Sequence, residues 1–402
     1  MAFPPEHPFR PPIFALFYCL RVPRFVRLAT AVALALGLGG ALHAAEHTVV
    51  DTSAGKVALE VVAHGLDTPW ALAFLPDGRM LVSERSGALR VVDDEGRISD
   101  PVANVPEVYA HGQGGLLDIA LSPDFAEDAR IFMSYAEAAS GGARTAVASA
   151  ELDLQALRLV DVTPVFAQRD APSGGQHFGS RLVFADDGTL FITTGDRNHE
   201  RALAQDLGSH IGKILRVHAD GSVPADNPFV DHDSALPEIW SYGHRNVQGA
   251  ALHPETRVLW SHEHGPRGGD ELNIGQAGGN YGWPEITHGR EYASGRTIGE
   301  GVERDDVVAP VHHWVPTSIA PSGMAFYDGE AFPHWQGSVF IGALRGQKVV
   351  RLTLEGGEIV AEENLFTELG SRIRDVRQGP EGALYLLDES EGRILRVAPA
   401  GN

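Results

Sequence analysis

Short apolar runs broken by turn pairs such as Asp-Gly and Pro-Asp recur along the whole chain, whereas helical periodicity is scarce. One phrase repeats. Residues 69–82 read as an apolar strand, an Asp77-Gly78 turn and a second apolar strand. The phrase returns at residues 115–124, 180–192, 249–255, 322–329 and 376–386, closing on Pro123-Asp124, Asp187-Gly188, Pro254-Glu255, Asp328-Gly329 and Glu381-Gly382. Third strands follow at residues 87–92, 214–217, 349–352 and 394–397. A small antiparallel sheet buries its faces only against neighbouring sheets. Six copies therefore predict an all-β fold, a six-bladed β-propeller of four-stranded antiparallel blades spanning residues 46–402. That leaves roughly 60 residues per blade against the ~40–45 of minimal blades, so the excess lies in loops. The longest, at about residues 197–240 and 284–318, are expected over one end of the central channel. A β-sandwich with insertions would not produce six similar phrases.

The first 44 residues break this pattern. Arg10, Arg21, Arg24 and Arg27 precede an apolar run of about 15 residues that ends in small residues at Ala44-Ala45, the layout of a secretory signal peptide. The run is short for a membrane span of ~20 residues, so cleavage near Ala44 is expected over an uncleaved N-terminal anchor. Either way the propeller leaves the cytoplasm. Cys19, the one cysteine, lies in this segment, so a cleaved chain has neither disulfides nor thiolate ligands. With 53 acidic against 32 basic residues the formal charge is −21. Cleavage would remove four arginines and one glutamate, leaving 28 basic against 52 acidic residues and a charge of −24. Such a balance opposes a nucleic-acid backbone or an anionic membrane as partner. An apolar content of 43% excludes a disordered chain, and 46 glycines suit a fold of many turns.

Common catalytic signatures are missing. No Gly-x-Gly-x-x-Gly follows residue 45, Gly212-Lys213 lacks the Ser or Thr of a phosphate loop, and neither His-Glu-x-x-His nor Gly-x-Ser-x-Gly occurs. Polar residues instead cluster beside the repeated phrases, where blades should converge on the axis. His177 lies between a glycine pair and a strand start, where a neutral imidazole could accept a proton; the plainer reading is a hydrogen-bonded loop histidine. Arg372 and Arg374 have strand spacing, which places both guanidinium groups on one face and suits a multiply charged carboxylate ligand; they could equally form an exposed ladder with acidic neighbours. Gly265-Pro266, Asp270, Glu271 and Tyr281 offer hard oxygen ligands of the kind calcium takes, while His262 and His264 keep a transition metal open. Residues 280–284 form a rigid aromatic turn, read plainly as a packing plug between blades.

These segments together resemble the soluble quinoprotein glucose and aldose sugar dehydrogenases. The resemblance rests on residues 112–117, on His177 with residues 179–182, and on residues 243–249. It continues through Glu263-x-Gly265-Pro266, Asp270-Glu271-x-Asn273, residues 278–284 and Arg372-x-Arg374-Asp375, in order over about residues 58–398. It implies a six-bladed propeller that binds pyrroloquinoline quinone (PQQ) and calcium and oxidises the C1 hydroxyl of aldoses to lactones. Carried over by position, His177 would be the base and Arg245 would stabilise charge on the quinone oxygen, with Asn246 beside it. Gln113, Asn246, Arg345, Arg372 and Arg374 would hold the cofactor. The carbonyls of Gly265 and Pro266 would ligate calcium, and Glu271 and Tyr281 a second, structural calcium. Three positions depart from the family pattern. Gln176 stands where an acidic residue precedes the base, which weakens the expected orientation of His177 by a carboxylate. Arg345 takes a lysine position, and Trp314 matches the aromatic substrate wall one residue out of register. The resemblance also implies a monomer that uses an aldose substrate and an electron acceptor it does not identify. Alternatives of different class are a sorbosone-type dehydrogenase and a non-catalytic sugar- or protein-binding propeller.

Overall fold

In the computed structural model, which describes residues 47–400, the six repeated phrases become the inner strands of six blades around a channel. Blades 2 to 5 are four-stranded and antiparallel, with inner strands Leu116–Leu121, Leu182–Phe184, Val247–Leu252 and Pro321–Phe326. Blade 1 has three strands, starting with Pro69–Phe74. Blade 6 has five, because Gly55–His64 pairs with Arg393–Pro399 and carries His47–Thr52 at its edge. Hydrogen bonds between the two ends of the chain thus close the ring, an arrangement invisible to a repeat search. The expected signal peptide lies outside the described residues, among which no helix is long and apolar enough to cross a membrane.

The core is a ring of six apolar clusters, one at each blade interface. Leu116 and Met133 of blade 2 pack on Trp70 and Leu81 of blade 1, and Leu72 and Val82 of blade 1 pack on Leu387 and Ile394 of blade 6, completing the circle. Each sheet therefore buries both faces, as the repeat reading required.

A recurring irregularity aims side chains into the channel. The pairing of the inner strand with its neighbour slips between Pro69 and Ala71, Leu116 and Ile119, Val247 and Gly249, Ser322 and Met324, and Ile373 and Asp375. A bulge leaves the skipped residue unpaired and redirects it. The skipped residues include Trp70, Leu117, Gln248 and Arg374, and all four line one cavity at the channel mouth. Behind them, Arg181 lies 3.2 Å from both Asp118 and Asp375, and Arg377 lies 3.2 and 2.8 Å from the same carboxylates. This charge-matched square ties blades 2, 3 and 6 together as the floor.

The long loops divide differently from the sequence expectation. Residues 194–212 and 275–311 do gather at the channel mouth. Residues 219–238 instead leave from the end of blade 3 that carries the Asp187-Gly188 turn, since His218 pairs with Thr189 there. They meet the first loop along its outer side, where Leu236 N donates to Leu207 O, Leu236 and Phe229 pack with Leu207, and Glu238 lies 3.4 Å from His210 Nε2.

Candidate active site

The cavity at the mouth, of about 180 Å³, is walled by Trp70, Leu117 and Phe178 and rimmed by Arg85, Arg372 and Arg374. Arg374 is buried and donates to Glu389 at 2.7 Å, Gln248 Oε1 at 3.1 Å and Ser322 Oγ at 3.3 Å. Arg372 approaches the same Glu389 at 3.6 Å, so strand spacing does bring the pair to one place. Burial pushes the Glu389 carboxyl up, but the charges of Arg374, Arg372 and Arg85 outweigh it and hold the group below the usual range. Three guanidinium groups face one carboxylate. The cavity is left with positive charge for an anion and flat walls for a planar one, so its residues fit a planar quinone polycarboxylate. Arg345, expected among the cofactor ligands, is exposed and does not line it. Its N donates to Ile319 O at the strand exit, and Leu344 takes the lining position. Arg85, which sequence reasoning passed over, supplies the third guanidinium.

His177 stands beside this cavity with its backbone in the left-handed region at φ 51°. Its N donates to Gln113 Oε1 at 2.8 Å, which ties the expected base to an expected cofactor residue. Its Nδ1 lies 2.6 Å from Asp196 Oδ1. The missing acidic residue at position 176 is therefore made good by a carboxylate from the end of the second strand of blade 3. The weakening expected from Gln176 is thus offset by Asp196. Asp196 Oδ1 also accepts from Asn198 N at 2.7 Å, and Oδ2 accepts from Trp283 Nε1 at 2.9 Å. Burial and then the positive charge of Arg245 lower the His177 pKa, outweighing the opposing pull of Asp196. The Asp196 carboxyl is pushed up by burial and brought below its usual value by its bonds to His177.

Arg245 follows the outer strand of blade 3 and donates to the carbonyls of His264 and Gly265, both at 2.8 Å. The Gly265 carbonyl, an expected calcium ligand, thus also receives a guanidinium. Asn246 is buried and outside the cavity lining, and its Oδ1 accepts from Gly179 N at 3.1 Å, holding the turn after His177. Pro266 faces a second cleft of 380 Å³ with Asp196, Arg245, Trp283 and Tyr292. The aromatic turn at 280–284 is therefore part of the site and more than a plug. Trp314, the expected aromatic wall, is buried in the blade 4–5 cluster and bonded to Glu362, away from both cavities.

Glu271 pairs directly across the sheet from Glu263. Burial and then the Glu263 charge raise the Glu271 carboxyl well above its usual value. Burial also pushes Asp270 up to about 6. Glu263 Oε1 bonds His244 Nδ1 at 2.9 Å. Two opposed buried carboxylates are the chemistry of a hard-cation site, so Glu271 fits calcium. The Tyr281 hydroxyl is committed to Ile274 O at 2.6 Å and Gln276 N at 2.9 Å, so a ligand role there would fall to its main-chain carbonyl. His262 and His264 do not converge on a metal. Their Nε2 atoms bond the carbonyls of Gly323 and Pro321, and no group of three or more metal-ligating side chains occurs among the described residues.

Comparison with known proteins places this geometry. Residues 66–396 match the family model for glucose/sorbosone dehydrogenases. The aldose sugar dehydrogenase YliI of Escherichia coli is 48% identical over 350 residues, covering 85% of this chain and 93% of that protein. The crystal structure of the soluble aldose sugar dehydrogenase of E. coli in its apo-form superposes with a TM-score of 0.83 at 47% identity, over 86% of this chain and 100% of that one. The PQQ-bound form of the aldose sugar dehydrogenase of Streptomyces coelicolor does so with a TM-score of 0.67 at 32% identity, over 87% and 99%.

Proposed function

Because the chain belongs to the glucose/sorbosone dehydrogenase family, we propose that it is a PQQ- and calcium-dependent aldose sugar dehydrogenase that oxidises the C1 hydroxyl of aldoses to lactones. The observation that carries the reading is the Asp196–His177 pair set between an arginine-rimmed cavity and Arg245. When bound, the quinone supplies the two-electron acceptor for the C1 hydride, and calcium polarises it. Asp196 fixes the imidazole with its proton on Nδ1, leaving the Nε2 lone pair to take the hydroxyl proton. Burial and Arg245 keep that imidazole neutral at pH 7. Arg245, anchored by two carbonyls, presents positive charge where negative charge develops.

Arg372, Arg374 and Arg85 would answer the cofactor carboxylates, with Gln113 at the rim. The Gly265 and Pro266 carbonyls would take the active-site calcium. Glu271, with the Tyr281 carbonyl, would take a structural one. The substrate class follows from the aldose sugar dehydrogenases among the relatives, and a sorbosone-type substrate is the alternative. The layout of residues 1–44 supports export to the periplasm or beyond; the resemblance to the aldose branch supports a monomer that passes its electrons to a diffusible acceptor. The test is reconstitution: purified protein with quinone and calcium should reduce an artificial dye on addition of glucose or maltose. Bound quinone with no spectral change on any aldose would remove this reading, and reduction by sorbosone alone would select the alternative. If neither sugar reacts, a binding propeller remains.

A further inference from the structure

One indole touches both halves of this machinery. Trp283 Nε1 donates to Asp196 Oδ2 at 2.9 Å, and the guanidinium of Arg245 lies 5.4 Å from the ring centre. The ring is fixed from both mouth loops. Its main-chain N donates to Gly243 O at 2.9 Å, two residues before Arg245, and its carbonyl accepts from Gln205 Nε2 at 2.8 Å. The same Gln205 amide donates to Asn280 Oδ1 at 2.9 Å, and Ala204 and Ile298 pack on the indole. Trp283 is 5% exposed and Asp196 is 1% exposed, so water does not substitute readily for this bond.

We propose that Trp283 is a positioning residue for sugar oxidation: its indole N–H shares the Asp196 carboxylate with His177 and thereby sets how strongly the base holds its proton. The catalytic consequence rests on the sugar dehydrogenase reading, but the acid–base consequence does not. Asp196 Oδ1 is divided between His177 Nδ1 and Asn198 N, and Oδ2 is given to the indole. Every donor to a carboxylate draws off charge that would otherwise favour the imidazolium. Removing the indole N–H should make the carboxylate lean harder on His177, so the base would take its proton at higher pH and release it less readily. Removing the carboxylate charge should do the reverse. The other groups facing His177 stay in place in both cases. They are Arg245, Arg197 stacked on Phe178 at 3.7 Å, and His264, held neutral chiefly by burial. A loss of packing alone would lower stability without moving the titration in either direction.

The experiment compares Trp283→Phe with Asp196→Asn. The His177 ring is titrated by nitrogen-15 NMR in the protein without cofactor, and kcat/KM is followed against pH after loading with quinone and calcium. The expected result is a His177 titration moved to higher pH in Trp283→Phe and to lower pH in Asp196→Asn, with the acidic limb of kcat/KM moving in parallel. Trp283→Phe should lose roughly tenfold in kcat/KM, the scale of one hydrogen bond to a charged group. Its quinone Kd should stay within about twofold, because Trp283 does not line the quinone cavity. If Trp283→Phe melts early, β-benzothienylalanine at position 283 keeps the bicyclic shape without the N–H and replaces it. A titration that coincides with the parent, or moves the same way as Asp196→Asn, overturns the proposal. NMR shifts of the expected sign in protein that oxidises no aldose would sink the function and leave the coupling standing.

Discussion

Replacing Arg374 by Met tests whether the cavity is built for a multiply charged anion. Arg374 is 6% exposed, and its guanidinium serves Glu389, Gln248 and Ser322 at 2.7, 3.1 and 3.3 Å. Methionine keeps most of the apolar stem and deletes the charge. A cofactor carboxylate then loses one charge-assisted partner worth about 1.5–3 kcal/mol, which is roughly 10- to 150-fold in Kd. The substitution also leaves Glu389 with the half-exposed Arg372 at 3.6 Å as its near partner. Breaking a buried pair costs about 3–5 kcal/mol when nothing replaces the lost partner, so Arg372 and Arg85 should hold the stability loss below that. Adding Glu389→Gln removes the orphaned charge. The double variant should therefore recover thermal stability while its quinone affinity stays low, because nothing has restored a cation. The assay is titration of cofactor-free protein with PQQ by fluorescence, alongside thermal melts of the same samples. A folded Arg374→Met protein with the parent's Kd would refute the placement of the cofactor, and so would affinity regained in the double variant.

Three further outcomes follow from the same geometry. With the His177 pKa lowered by burial and by Arg245, kcat/KM should remain flat as pH falls from 8 to ~6.5, the value of a free imidazole; a limb centred above 7 contradicts the assignment, and His177→Ala should cost about 10²–10⁴-fold in kcat. Burial holds the His262 pKa at about 3 and that of His264 well below its usual value. The unfolded chain therefore binds more protons below ~6.5, and the stability these groups contribute is complete above that pH and lost on acidification by about 1.4 kcal/mol per pH unit each. Asp270, raised to about 6, opposes this between its free value and 6, and urea melts at pH 7.5, 6.5 and 5.5 should show a smaller acid loss in His262→Gln. At the acidic pair, Glu271→Gln should raise the melting temperature in chelator by relieving the repulsion from Glu263 and abolish the rise that calcium gives the parent; an undiminished calcium response would move the structural site elsewhere.

The inner strands were readable because their signal is local: apolar alternation followed by a hairpin pair within about a dozen residues. What the side chains do at the start of those strands was not. Trp70, Leu117, Gln248 and Arg374 reach the cavity because pairing slips at each of them. A slip is a property of two strands and their register, which no single stretch encodes. The same limit hid Asp196. It lies 19 residues from His177, and only the return of the next strand sets the carboxylate against the imidazole, so looking for an acid at position 176 looked in the wrong dimension. Arg345 and Arg85 show the same limit at the rim. A cation at a matching position was legible, but the turn after Ala343 points Leu344 inward, and the loop after Glu84 brings Arg85 to the rim instead.

Charge has to be read at two ranges. A chain of net charge −21 would repel an anion from a distance, yet its cavity is rimmed by three arginines. The two are compatible because screening at physiological salt cuts exposed charges off beyond ~8 Å, while buried groups are screened far less. The floor of the channel contributes little net field, since Arg181 and Arg377 are matched there by Asp118 and Asp375. Above the floor one carboxylate, Glu389, faces three guanidinium groups, so the unmatched charge is concentrated where a ligand sits between flat apolar walls. A small planar polyanion would meet this charge at the buried Arg374 and the half-buried Arg85 and Arg372, while the acidic exterior opposes larger polyanions.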